Sequence, residues 1–207
     1  MNSLVIPSDT ITIKSRLDVA NIRLDSLSNN NSNDITNSRF ISDIIIRDAT
    51  EVDISKIKEL VSEVFHTYME QYPTVKKFMK KSISKLPHEI DNNSNNKFWV
   101  AVLKDSIIGC IGLRINSNIG EIIHTSVSSN WRGQGIGQKL LSQVIEYANK
   151  STINSLHLSV MNFLTSAQSL YIKMGFVEDG DKNKGGNDTD CYIVHMKFSF
   201  PNNLLDG

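Results

Sequence analysis

Residues 131–138 read Trp131-Arg132-Gly133-Gln134-Gly135-Ile136-Gly137-Gln138, with three glycines at alternate positions. An apolar run that ends at Val127 precedes this stretch, and an amphipathic run begins at Ile136. That order predicts a strand, a glycine-rich turn and a helix. Glycine accepts positive φ and lets a ligand touch the backbone, while the amides at a helix N-terminus attract anions. The stretch is therefore a candidate anion site.

The bulk composition excludes several classes of protein. The 207 residues include 22 Lys+Arg and 22 Asp+Glu, so the formal net charge is zero and we expect no nucleic-acid partner. Cys110 and Cys191 have neither metal-site nor CxxC spacing, so we expect two reduced thiols, no metal site and a cytoplasmic or nuclear protein. The N-terminus lacks the basic start and apolar core of a signal peptide. The longest apolar run, residues 98–103, is far shorter than the roughly 18–20 residues of a membrane helix, so we expect no membrane segment.

Hydrophobic patterning divides the chain into a tail, one domain and a second short tail. Residues 1–42 are rich in Asn and Ser and offer little apolar surface, so we expect a disordered tail. The folded domain is expected over residues 43–200, followed by a tail over 201–207. The domain should begin with a strand at 44–47, a helix capped by Thr50 or Asp53, and a second helix over 74–86.

The second half of the domain changes to period-two alternation. Residues 98–103, 107–115 and 119–127 are predicted strands of an antiparallel meander. A helix from Ile136 then leads to a strand over 155–160, which returns parallel to the strand at 119–127. A short helix over 166–174 and a last strand over 191–198 complete the domain. The expected fold class is α/β, with a mixed, mostly antiparallel sheet flanked by helices.

Two familiar phosphate loops do not explain the glycines. A Walker loop needs Lys-Ser/Thr before the helix, but Gln138 follows Gly137. A Rossmann turn needs GxGxxG after the first strand of a parallel sheet, whereas this GxGxG follows a meander. Two interpretations remain. Either Arg132 and the amides of residues 133–138 hold a pyrophosphate, or the turn serves only packing.

Two motifs together resemble the GNAT superfamily of acyl-CoA-dependent N-acyltransferases. The first is Ser126-Val127 followed by Arg132-Gly133-Gln134-Gly135-Ile136-Gly137, and the second is Ala167-Gln168-Ser169-Leu170-Tyr171-Ile172-Lys173-Met174-Gly175-Phe176. The layout of elements over residues 43–198 is also similar to this superfamily. Within it, Ser126-Val127-Ser128 and Ser166-Ala167 resemble the camello-like group. The resemblance implies a GNAT-type sheet that is splayed between its fourth and fifth strands.

The resemblance also implies the substrates and how the donor is bound. Acetyl-CoA is the expected donor, and the acceptor is an amine of a small molecule or a protein. The pyrophosphate would bind the amides of Arg132, Gly133, Gln134, Gly135, Ile136, Gly137 and Gln138. The pantetheine arm would pair with the backbone of Thr125, Ser126 and Val127, and the Val127 N–H would polarise the thioester carbonyl. The protein is expected to be a monomer or a homodimer.

Three side chains are candidates for proton transfer. Tyr171 matches the family tyrosine that would protonate the leaving thiolate as general acid, unless it is a packing residue. Glu121 matches a frequent acidic position and is the candidate general base, unless it is a solvated strand-end carboxylate. His124 is the other candidate base. Glu121 and His124 are three positions apart, so on a regular strand they face opposite sides.

The function predicted from this resemblance is N-acetyl transfer by direct attack of a primary amine in a ternary complex. The resemblance implies that no covalent enzyme intermediate forms, and neither cysteine belongs to a known nucleophile pattern. The alternative is a non-catalytic acyl-CoA-binding or regulatory module. The chain departs from the family at Leu164, where many members have Asn, and carries Asn162 two residues earlier.

Overall fold

The computed structural model describes residues 43–90, 95–180, 183–184 and 191–200, and the predicted tails at 1–42 and 201–207 lie outside these ranges. A 3-10 turn, Glu51–Asp53, precedes the first helix, and a second one, Ser129–Trp131, follows the fourth strand. The helices are α1 (Ile54–Gln71), α2 (Pro73–Ile90), α3 (Ile136–Asn149) and α4 (Thr165–Lys173). The strands are β1 (Ile44–Asp48), β2 (Lys97–Leu103), β3 (Ser106–Asn116), β4 (Ile119–Val127), β5 (Ser155–Met161), β6 (Val177–Glu178), β7 (Asn183–Lys184) and β8 (Tyr192–Ser199).

The eight described strands form one sheet in the order β1-β2-β3-β4-β5-β8-β6, with β7 paired to β8. Every pair is antiparallel except β4–β5, which is parallel because the crossover through α3 joins them. The mixed, mostly antiparallel sheet expected from the sequence is thus confirmed. Strands β6 and β7 were not predicted, because two residues are too few to show a periodic pattern.

Helices cover both faces of the sheet. On the α3–α4 face, Leu140 and Val144 of α3 pack with Trp99 of β2 in one buried cluster. On the α1–α2 face, Ile57 of α1 packs with Phe98 of β2 in a second cluster. Phe98 and Trp99 are neighbours in the chain, so the alternation of a strand sends them to opposite faces. In the part of the chain that the structure describes, no helix combines the length and apolarity needed to cross a membrane.

Helix α2 is longer than the sequence predicted. The predicted helix over 74–86 stopped before Pro87, whereas α2 continues through Pro87 to Ile90. Proline removes one backbone donor from the helix. The extra turn is nevertheless stabilised, because Leu86 and Ile90 on either side of Pro87 are both buried on the α1–α2 face. This turn also brings Glu89 against the sheet.

Asp53 joins the 3-10 turn to α1. The sequence predicted Thr50 or Asp53 as the cap of this helix, and Asp53 is the N-cap residue of α1, although its side chain makes no capping hydrogen bond there. Its carboxylate instead accepts hydrogen bonds from the Thr50 N–H at 2.9 Å and from the Thr50 hydroxyl at 3.1 Å, which cap the 3-10 turn. The same carboxylate accepts two hydrogen bonds from Arg47, at 2.7 and 2.9 Å. The Arg47 bond is the main cause that lowers the pKa of Asp53 to about 2, against the opposing effect of burial.

We expect Asp53→Asn to lower the free energy of unfolding at neutral pH by roughly 1–3 kcal/mol, because each unit of pKa shift corresponds to about 1.4 kcal/mol. The folded-state pKa lies below the unfolded value of about 3.9, so the contribution is complete above that value and is lost as the pH falls towards about 2. Urea unfolding of both proteins across this range measures the difference. A difference that does not shrink in acid would contradict the assignment.

Candidate active site

Two of the three loop glycines face open space. Gly133 has φ 75° and Gly135 has φ 79°, and a Cβ built on either would meet no atom within 4 Å. Gly135 is the N-cap of α3 and no side chain caps it, while Lys139 N donates back to the Gly135 carbonyl at 2.9 Å. The amides of residues 136–138 therefore have no acceptor within the helix. This surface combines free backbone donors with the positive end of a helix dipole, so an anion fits it.

The third glycine of the loop, Gly137, lies in the contact between α3 and α4. A Cβ at Gly137 would lie 3.0 Å from Cδ2 of Leu170, so a larger residue would require the Leu170 side chain to shift by a few tenths of an ångström. The packing interpretation thus fits Gly137, while the open space at Gly133 and Gly135 is compatible with the predicted pyrophosphate site. Leu170 and Gly137 also link the two motifs on which the resemblance rests.

Arg132 and Trp131 attach the loop to the body of the domain. The Arg132 Nε donates to the Val127 carbonyl at 3.1 Å, so the guanidinium lies at the end of β4. Trp131 packs against the cluster on the α3–α4 face. The loop is therefore held at a fixed position beside the C-terminal end of β4.

Strands β4 and β5 separate beside this loop. Their parallel pairing runs from Ile119 to Ile122 of β4, against residues 155–158 of β5. Beyond it, β4 continues to pair with β3, and β5 continues to pair with β8. The splay thus lies between the fourth and fifth strands, as the resemblance implied. The unpaired edge of residues 123–127 offers backbone donors and acceptors to an extended ligand, which could add as a strand.

A bulge interrupts β4 at the splay. Cys110 of β3 pairs with Ser126 while Gly112 pairs with Ile123, so His124 and Thr125 together oppose one residue. His124 has φ 52°, in the left-handed region that residues other than glycine seldom adopt. The extra residue reverses the alternation of side chains along the rest of the strand.

Because of this bulge, the prediction that Glu121 and His124 face opposite sides is wrong. The His124 ring lies near Phe98 on the α1–α2 face, with 6.0 Å between the ring centroids. Its Nε2 lies 2.7 Å from Oε2 of Glu89, and Arg114 donates to Oε1 of Glu89 at 2.6 Å. Arg114 also donates to Glu121. All four side chains therefore belong to one network on this face.

Glu89 and Arg114 were missed by the sequence reasoning. The signal for Glu89 was its position three residues after Leu86, which places it on the apolar side of α2. This spacing has meaning only if the helix continues through Pro87, and the predicted helix ended before that residue. Arg114 lies opposite Glu121 in the register of β3 and β4, and opposite charges in such cross-strand positions attract.

The Thr125 side chain lies on the α3–α4 face and contacts Tyr171. Tyr171 is 5% exposed and its side chain is hydrogen-bonded to that of Thr125. Burial raises the pKa of Tyr171 above its ordinary value and outweighs the opposite effect of the Thr125 bond. The phenol is therefore protonated at neutral pH and can donate a proton. Consecutive residues of the splayed strand thus carry the His124 network on one face and the Tyr171 contact on the other.

Ser126 and Cys110 lie together beneath the bulge. The Ser126 hydroxyl is buried and has no oxygen or nitrogen partner among the described residues. The Cys110 thiol donates to the His124 carbonyl at 3.3 Å, and burial raises the pKa of that thiol to about 12. A thiolate is therefore disfavoured at this position, which agrees with the expectation of no cysteine nucleophile.

A cavity of about 300 Å³ opens on the α1–α2 face beside the splay. Arg114 and Glu121 border it from β3 and β4, while His157, Ser159 and His195 border it from β5 and β8. Glu121 is accessible, with 48% of its side chain exposed, whereas only 3% of His124 is exposed. Within the described ranges, no group of three or more His, Cys, Asp or Glu side chains could hold a metal ion.

Leu164 and Asn162, where the chain departs from the family pattern, both have identifiable positions in the fold. The Asn162 side-chain oxygen accepts a hydrogen bond from Tyr192 N at 3.0 Å, so this amide joins the end of β5 to the start of β8. Leu164 occupies the N-cap of α4, and no side-chain hydrogen bond caps the helix there. Asn162 thus has a role within the fold.

Comparison with known proteins finds one family. The model of the acetyltransferase (GNAT) family matches residues 60–176. The crystal structure of the PaiA N-acetyltransferase from Thermoplasma acidophilum in complex with coenzyme A is similar, with a TM-score of 0.63 and 24% identity over 76% of this chain and 99% of that one. This likeness shows that the two share the fold.

Curated relatives match over parts of their length. The N-acetylaspartate synthetase of Xenopus tropicalis is 36% identical over 85 residues, which are 40% of this chain and 31% of that protein. N-acetyltransferase 8B of Homo sapiens is 27% identical over 112 residues, 50% of this chain and 49% of its own. The protein named "Probable N-acetyltransferase camello" of Xenopus tropicalis is 25% identical over 125 residues, 59% of this chain and 57% of its own. The chain spans a third to three fifths of these relatives. The family model nevertheless covers more than half of the chain, and the chain therefore belongs to the acetyltransferase (GNAT) family.

Proposed function

We propose that this protein is an N-acetyltransferase that moves an acetyl group from acetyl-CoA to a primary amine by direct attack in a ternary complex. The observation that supports this most is the separation of β4 from β5 beside the glycine loop, with Glu121 at a cavity on one face of β4 and Thr125 against Tyr171 on the other. A proton can then be taken from the amine on one face and given to the thiolate on the other.

The donor would occupy the loop and the splay. The amides of residues 133–138 and the Arg132 side chain would bind the pyrophosphate, since Gly133 and Gly135 leave open space for it. The pantetheine arm would extend along Thr125, Ser126 and Val127, where β4 has no partner in β5. In this arrangement the thioester lies beside Thr125, close to the Tyr171 hydroxyl.

The reaction then needs two proton transfers. Glu121, at the accessible cavity, takes a proton from the acceptor ammonium directly or through water, and the amine attacks the thioester carbonyl carbon. The Val127 N–H stabilises the oxyanion of the tetrahedral intermediate. The carbon–sulfur bond breaks, and Tyr171 protonates the leaving thiolate and later regains a proton from solvent. A thiol has a pKa near about 8.5, so the contribution of Tyr171 is moderate in size.

The acceptor would be a small polar amine. The cavity of about 300 Å³ is bordered by charged and hydrogen-bonding side chains. The matched region of the N-acetylaspartate synthetase is 36% identical, and the name of that relative states an amino-acid product. Amino acids, with aspartate first, are therefore the acceptors to test before polyamines and peptide amines.

A thiol-release assay with acetyl-CoA against a panel of amines tests the proposal. The panel contains aspartate, other amino acids, a polyamine, a lysine peptide and a peptide with a free N-terminus. We expect at least one amine to release CoA in equal amount with its acetylated product. Calorimetric binding of acetyl-CoA without thiol release against any of these amines would instead support the non-catalytic acyl-CoA-binding module.

A further inference from the structure

Glu89 lies at a position in α2 that is unfavourable for a carboxylate. It is the penultimate residue of α2, where the negative end of the helix dipole disfavours a carboxylate. It is also 6% exposed, and burial of a charge is costly unless partners compensate for it. Burial alone would raise the pKa of Glu89, but the bonds from His124 and Arg114 outweigh it and hold the pKa below its ordinary value. The carboxylate is therefore ionised.

His124, the partner of Glu89, has an unfavourable backbone conformation. His124 has φ 52°, a conformation that costs about 1–3 kcal/mol for a residue other than glycine. Its ring is nonetheless fixed, with Nε2 2.7 Å from the Glu89 carboxylate. Two unfavourable local features thus meet in one hydrogen bond. Such violations are retained in natural proteins mainly at functional sites.

We propose that Glu89 is a positioning residue of the acyl-transfer site, which holds His124 and Arg114 on the acceptor side of the splayed strand. This inference rests on the proposed function. One carboxylate oxygen fixes the His124 imidazole, and the other fixes Arg114, which in turn holds Glu121 at the edge of the cavity. Glu89, Arg114 and Glu121 form a row of alternating charge. Arg114 and Glu121 border the cavity in which the acceptor amine would bind, and Glu89 is the buried end of the row.

Charged and titratable groups surround Glu89. They are Arg114 from β3 and Glu121 and His124 from β4, while His157 and His195 border the cavity from β5 and β8. Removing the charge of Glu89 would leave His124 without its carboxylate and Arg114 with Glu121 as its remaining carboxylate partner.

The wild type must first be shown to acetylate an amine. The variant Glu89→Gln then tests the proposal. We expect kcat to fall by at least about tenfold, while the KM for acetyl-CoA and the calorimetric affinity for CoA stay within about twofold. Rates are normalised to the number of CoA-binding sites, so that misfolded protein does not count.

A matched control is Glu70→Gln on α1, where Glu70 pairs with His66 at 3.7 Å on the exposed surface. This control should leave kcat and the KM for acetyl-CoA unchanged. If Glu89→Gln does not fold, Arg114→Lys keeps a cation beside Glu89 but cannot bridge two carboxylates, and it should show the same loss of kcat with CoA affinity retained. Unchanged kcat in a folded variant, or an equal loss of kcat and CoA affinity, would overturn the proposal. A wild type that acetylates no amine would instead overturn the proposed function.

Discussion

Gly135→Asp is expected to abolish acetyl-CoA binding, with a loss in affinity of at least about 100-fold. The backbone at Gly135 is left-handed and faces open space, so the new carboxylate would project into the region assigned to the pyrophosphate. Two unit charges about 4 Å apart near a protein surface repel by about 4 kcal/mol, which exceeds the 2.7 kcal/mol that a 100-fold change requires. No described atom obstructs the new side chain, and the strain of about 1–3 kcal/mol that its left-handed backbone imposes is shared by the control variant Gly135→Asn.

Isothermal calorimetry with CoA and acetyl-CoA measures this effect, and Gly135→Asn is the matched control. Asparagine has nearly the same size and tolerates the left-handed conformation at least as well as aspartate, but it carries no charge. We expect Gly135→Asn to bind CoA within about tenfold of the wild type. Equal affinity of Gly135→Asp and the wild type would remove the glycine loop from the donor site.

Tyr171→Phe is expected to lower kcat by about 10- to 100-fold and to leave the affinity for CoA unchanged. The substitution removes the hydroxyl that meets Thr125 and keeps the ring that packs against Phe176 at a centroid distance of 5.9 Å. Because burial raises the pKa of Tyr171 above its ordinary value, the wild-type phenol stays protonated at neutral pH. The rate of the wild type should therefore show no fall from ionisation of this group near neutral pH.

Steady-state kinetics and CoA calorimetry on the same preparations separate the two roles of Tyr171. Tyr147→Phe is the control, because it deletes the same atom from a ring that packs against Trp99 on the far side of α3 from the splay. This control should retain wild-type kcat. Parallel loss of kcat and CoA affinity in Tyr171→Phe would show that the tyrosine serves packing.

The glycine loop and the elements beside it were readable from the sequence because they depend on local features. The alternate glycines, the helix that follows and the crossover to β5 are set by residues close together in the chain. Their order was enough to predict the loop and the parallel strand pair, whereas the splay was implied by the family resemblance. Gly137 shows the limit of that reasoning, since its packing against Leu170 depends on how two helices meet.

The network of Glu89, Arg114, Glu121 and His124 could not be predicted from the sequence, because it depends on contacts between distant segments. The bulge at His124 follows from the register of β3 against β4, and a regular period of two cannot reveal an inserted residue. Glu89 reaches His124 from a turn of α2 that continues past a proline, where the sequence rule predicts an end. Position 124 and position 89 are brought together by the tertiary fold alone.

Acetyl transfer at the glycine loop and the splay is tested most directly by measuring both products at once. Wild type and Gly135→Asp are incubated with acetyl-CoA and the most reactive amine of the panel. Free thiol is then measured by absorbance and the acetylated amine by mass spectrometry. The wild type is expected to form CoA and acetylated amine in equal amounts, and Gly135→Asp to form neither above background. A wild type that binds acetyl-CoA yet leaves every amine unmodified would contradict the assignment of this site to acetyl transfer.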